Sequence, residues 1–114
     1  MILINNSQDD TNIFLNYADR DLNSNNFYDA ASTALLASTV YRAAKILGQT
    51  EYLPQAERSR KALSTPAHFS PEGVLFPVVD PYHPGDPAGR GQISPEAQAF
   101  VVQMYQAWNE MTPV

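Results

Sequence analysis

FYDAASTALLASTVYRAAKILG, residues 27 to 48, is the stretch on which the fold turns. From Ala30 to Leu47 nearly every side chain is apolar or small, and the small ones (Ala30, Ala31, Ser32, Ala34, Ala37, Ser38, Ala43, Ala44) outnumber the large. Asp29 is suited to accept from the first free backbone N–H groups, and Gly48 to end the run in the left-handed conformation. The span therefore predicts an inner helix over 30–48, cap included. A helix that is apolar all round is a buried one. Large side chains hold helices apart and small ones let backbones approach, so this helix is built to be crowded by several neighbours.

The candidates for crowding it follow in the sequence. A short turn, GQTEYL, leads to a second helix over 54–64, with Pro54 in its first turn. Ala56 and Leu63 give that helix a thin apolar stripe, and Glu57, Arg58, Arg60 and Lys61 are expected to look outward. Glu57 and Lys61 are spaced as an i,i+4 pair worth about 0.2–0.5 kcal/mol. This is an outer helix. Residues 68–92, HFSPEGVLFPVVDPYHPGDPAGRGQ, form a loop dense in proline and glycine. Within it Val74 to Val79 reads as a strand, which Pro77 restricts to an edge. Ser94-Pro95 opens a C-terminal helix over 94–111. Ala97, Phe100, Val101, Met104, Trp108 and Met111 recur along it at helical spacing as one apolar stripe.

Ahead of the inner helix the pattern is weaker. Residues 1–8 read either as a frayed helix end or as a short strand. Residues 9–26 are rich in Asp and Asn around an apolar island of Ile13, Phe14 and Tyr17, which suggests a short extended segment between turns.

A chain of 114 residues is one domain's worth, here 1–114 as a single unit. Twelve acids against seven bases leave a net charge of -5. That argues against nucleic acid or an anionic membrane as main partner, because either calls for a basic patch. With no cysteine, disulfides and thiolate metal sites are excluded and the redox compartment is left open. The opening MILINNSQDD has no basic n-region and reads as neither a secretory signal nor a membrane span. The sequon Asn5-Asn6-Ser7 would matter only in the secretory pathway, and localisation is left unknown. The chain has no phosphate-binding glycine loop, no G-x-S-x-G and no H-E-x-x-H; GRG at 89–91 is too short to count.

DAASTALLASTVYRAA, then YLPQAERSRKAL, HFSPEGVLFPVVDPY and SPEAQAFVVQMYQAW, together resemble the C-terminal part of fungal six-hairpin glycosidases. These are the unsaturated uronyl and rhamnogalacturonyl hydrolases of glycosyl hydrolase families 88 and 105. The likeness runs roughly from residue 9 to residue 111, and the inner-helix signature and SPEAQAF are its most specific parts. It implies a mainly α fold, a partial α/α barrel with short strands in its loops. About two and a half of the six hairpins of such a toroid are present in these 114 residues. Further hairpins would then cover Ala34, Leu35, Leu36 and Val40, each large side chain otherwise forfeiting about 1.5–3 kcal/mol. The chain is accordingly expected to be a segment of such a hydrolase, or to shield itself by association.

The resemblance further implies oligosaccharides ending in an unsaturated uronic acid as substrates. An aspartate would protonate the enol-ether double bond and activate water, and the resulting hemiketal would open to release the next sugar. The principal acid–base aspartate of the family belongs to a more N-terminal hairpin, so no catalytic residue is carried over and activity of this chain alone is not expected. Relatives would be secreted or cytoplasmic.

Substrate-binding candidates sit where inner-helix N-termini meet the cleft. Asp29 is first a cap and second a ligand contact. Phe27 and Tyr28 stack on a sugar or pack the helix entry. Ser94, Glu96 and Gln98 open the last helix, where a uronate carboxylate could be received, or serve only as first-turn caps. Asn16 and Tyr17 project oppositely if their segment is extended. Asp80, His83 and Asp86 form a weak metal pattern, so no metal and no cofactor is expected. His68 has no evident partner, and Trp108 belongs to the core stripe. The rival reading is a small helical interaction or self-associating protein without sugar chemistry.

Overall fold

The computed structural model describes residues 11–17, 26–80, 82–89 and 92–111. The expectations for residues 1–8, the sequon and most of the turn-rich stretch up to 26 lie outside the described residues, as does most of GRG. Among the described residues the chain is mainly helical, with one small antiparallel sheet. Helix α1 spans Ala30–Leu47, α2 Leu53–Leu63 and α3 Pro95–Met111. Strand β1, Val79–Asp80, pairs with β2, His83–Pro87, through an irregular register.

Each helix end has a local cause. Asp29 caps α1: its Oδ1 accepts from Ala31 N–H at 3.1 Å and its Oδ2 from Ser32 N–H at 3.2 Å. The Ala30 N–H goes to Pro77 O at 2.8 Å. Gly48, at φ 70°, stops α1 by donating its N–H to Ala43 O, a conformation costly for residues with a Cβ. Ser94 caps α3, its Oγ accepting from Ala97 N–H at 3.2 Å. Pro54 stands in the first turn of α2.

The segment before α1 is tied to the helix start. Leu15 bridges Tyr28 in antiparallel fashion. Asp29 N–H donates to Phe14 O at 2.7 Å, and Asn16 N–H to Phe27 O at 2.7 Å. Inside, the Thr33 hydroxyl accepts from Phe14 N–H at 2.8 Å and donates to Asp29 O at 2.8 Å. One buried hydroxyl thus joins the segment to the helix.

Helix α1 packs against both α2 and α3. Its buried face carries Ala30, Ala34, Ala37 and Ser38 beside Val40 and Tyr41, so close approach is made by small residues. The two neighbours run in opposite senses. α2 folds back antiparallel, with Glu57 facing Tyr41. α3 lies parallel to α1: their N-termini line one cleft, and Arg42 meets Glu110 at 3.8 Å toward their C-termini.

Four expectations are corrected. α1 is not enclosed all round, for Leu35, Thr39, Arg42 and Ile46 form an exposed stripe along it. Ala34 and Val40, expected to need further hairpins, are covered by the chain itself at 0% and 3% exposure, which leaves Leu35 open and Leu36 half-buried. Glu57 and Arg60 do not simply look outward. Arg60 Nη2 pairs with Glu57 Oε2 at 2.8 Å, and Tyr41 donates to Glu57 at 2.6 Å. The Arg60 guanidinium lies 4.1 Å over the Trp108 ring, so Glu57 is bound to Arg60 three residues on instead of to Lys61. Fourth, Val74 to Val79 is no continuous strand. Leu75 makes a single bridge to Phe69, and the ladder begins only at Val79. Pro77, which has no N–H to give, interrupts the run after a cis Phe76-Pro77 bond.

Candidate functional site

The parallel packing of α1 and α3 brings two helix starts to one side of the molecule. Between them opens a cleft of about 330 Å³. Asp29, Ala31, Ser32 and Leu35 form its α1 wall, Ser94, Glu96 and Phe100 its α3 wall, and Val79 at the start of β1 lines it too. Two carboxyl groups, hydroxyls and an aromatic ring therefore share one concave surface. Carboxylates and hydroxyls suit a polyhydroxylated ligand, and the ring suits its C–H face.

The electrostatics separate the two acids. Asp29 is 5% exposed, and burial pushes its carboxyl above the ordinary 3.8 against the opposing pull of hydrogen bonds from Ser32 and Ala31. Glu96 is exposed, and its Oε2 accepts from the Ser94 hydroxyl at 3.0 Å. Its carboxylate thus stands at the positive end of α3, where a bound anion would otherwise sit. At α1 the first three N–H groups are taken by Pro77 and Asp29. Neither helix start is arranged to receive a carboxylate. The cleft presents acceptors instead, which fits sugar hydroxyls better than a uronate.

Of the sequence candidates, Asp29, Ser94 and Glu96 meet in this cleft. Gln98 is used elsewhere: its Oε1 accepts from Leu75 N–H at 2.9 Å and its Nε2 donates to Gly73 O at 2.8 Å, clamping the loop beneath α3. Gly73 there has φ 87°, the left-handed region that glycine tolerates. Tyr28 is half-buried against the core. Asn16 and Tyr17 both reach the β1–β2 hairpin. Asn16 Nδ2 donates to Pro84 O at 3.2 Å, and the Tyr17 hydroxyl lies where a Cβ on Gly85 would come within 3.4 Å. Buried Asn26 holds Tyr17 by its backbone, accepting from Tyr17 N–H and donating to Tyr17 O, each at 3.0 Å.

Asp80 and His83 approach at 3.4 Å. A hydrogen bond from Tyr82 N–H chiefly, with His83 and Gln92 adding to it, holds the Asp80 carboxyl below its ordinary range. Among the described residues no group of three or more His, Asp or Glu is placed to hold a metal. His68 finds a partner in Phe76 O, 3.1 Å from its Nδ1.

Sequence reasoning missed Ser32, Leu35 and Phe100. The signal was present as spacing. Ser32 and Leu35 follow Asp29 in steps of three, and Phe100 lies four beyond Glu96, so each set follows an acid at its helix start at helical spacing. The same spacing puts Phe100 in the core stripe, with which it also packs. No family model, curated protein or solved structure matches this chain. No helix among the described residues is long and apolar enough to cross a membrane.

Proposed function

We propose that the chain is an arc of an α/α-barrel glycoside hydrolase acting on unsaturated uronic-acid oligosaccharides, binding saccharide without turning it over alone. The observation that carries this reading is the cleft shared by the N-termini of two parallel helices, α1 and α3, with α2 packed against α1. Inner helix, antiparallel outer helix and parallel inner helix is the repeating step of a helical toroid. In such a ring the next hairpin would cover the far end of the stripe at Ile46, which is 72% exposed, while Leu35 at its near end stays on the cleft. The motifs DAASTALLASTVYRAA and SPEAQAF supply the family side of the reading, and α1 and α3 are the helices that carry them.

In this reading Asp29 and Glu96 accept from sugar hydroxyls, Phe100 lies along the ring, and the uronate is held by hairpins of the completed barrel. The test is calorimetric titration of the purified chain with an unsaturated galacturonyl-rhamnose disaccharide, alongside an assay for loss of the double bond. Binding without turnover is expected, weakened at least tenfold by Phe100→Ala. Absence of binding contradicts the reading, and turnover contradicts the part that denies activity to this chain alone.

The exposed stripe also favours a second reading, self-association without sugar chemistry. A defined dimer in light scattering, with no saccharide bound, selects it.

A further inference from the structure

Among the described residues Tyr82 is the most exposed of the large apolar side chains, at 82%. Such exposure leaves an aromatic surface in water that burial would stabilise, and an aromatic ring with a polar tip is a common recognition group. The ring is not on a loose tether. Its own N–H donates to Asp80 Oδ1 at 2.9 Å, and the hairpin is closed by Ala88 N–H to Val78 O at 2.7 Å. Asn16 braces the far strand through Pro84. Pro84 and Pro87 stiffen that strand, and Pro87 pairs opposite Val79.

The position matters as much as the exposure. Val79, opposite Pro87 at the base of the hairpin, is a wall of the α1–α3 cleft. Tyr82 stands three residues beyond it, at the turn between Asp80 and His83 of the braced hairpin whose base lines the cleft. We infer that Tyr82 is a stacking platform for a pyranose ring, extending the cleft by one sugar unit beyond the one beside Phe100. The inference rests on the proposed saccharide-binding function, and it assigns the cleft an oligosaccharide longer than a disaccharide.

Titration of the full chain and of Tyr82→Ala with an unsaturated disaccharide and a tetrasaccharide of the same series tests it. Wild type is expected to bind the tetrasaccharide at least tenfold more tightly than the disaccharide. Tyr82→Ala should remove that gain, leave disaccharide binding and thermal stability unchanged, and be rescued by Tyr82→Trp. Equal affinity of wild type and Tyr82→Ala for the tetrasaccharide overturns the platform while sparing the proposed function. Failure of wild type to bind either saccharide overturns both.

Discussion

At the scale of single residues, a few polar groups hold the helices in register. The Thr33 hydroxyl serves both Phe14 N–H and Asp29 O within the core. Thr33→Val keeps the shape and strands the Phe14 N–H, a loss of about 1–3 kcal/mol expected in urea denaturation. Glu57 is the residue to watch against pH. Burial draws its carboxyl upward, but Arg60 and the Tyr41 hydroxyl more than offset this, and its pKa falls below the ordinary 4.5. A depressed folded pKa means that its stabilisation is complete above 4.5 and is lost as pH falls through the lower folded value. Half-buried Asp80, also depressed, acts in the same sense. Asp29 acts in the opposite sense. Its folded pKa is raised, so its contribution is full below 3.8 and fades as pH rises through the folded value. Wild type should therefore lose stability on acidification below 4.5, and Glu57→Gln should lose less over that interval, as read by melting temperature against pH.

Among the elements, α1 decides the packing by what it lacks. Ala34 is wholly buried within its packed face, which is only as close to its neighbours as a methyl allows. Ala34→Leu should force the helices apart and cost about 1–3 kcal/mol, measured by chemical denaturation. Gln98→Ala should release the loop at Gly73 and Leu75, seen as faster amide hydrogen exchange at Leu75 with little change in the helices. These elements were unequally legible in sequence. The ends of α1 followed from Asp29 and Gly48, because caps are local chemistry. The interrupted strand did not, because the apolar run from Val74 to Val79 looks alike whether or not a partner pairs with it. Likewise Glu57 and Arg60 carry the charges of a solvent face. Only the arrival of Tyr41 and Trp108 from other helices draws them into a bridge between elements.

For the molecule as a whole, one buried face of α1 is shared between α2 and α3 and one stripe is left to water. Small-residue content foretold the close packing and overstated the enclosure, since alanine is as compatible with an open side as with a crowded one. The cleft was half legible. Asp29, Ser94 and Glu96 stood out as caps, yet their meeting depends on α1 and α3 lying parallel, which no local pattern encodes. Helix α3 also carries Gln98, whose role in the loop clamp could be learned only from the position of residues 73–75. The proposed function depends on saccharide binding in the cleft between the paired helix starts. Its most direct test is an NMR titration of the labelled chain with the unsaturated galacturonyl-rhamnose disaccharide, following backbone amides. Saturable shifts are expected at Ser32, Leu35, Val79 and Phe100, with α2 unmoved; no shifts, or shifts confined to surfaces away from that cleft, would overturn saccharide binding there.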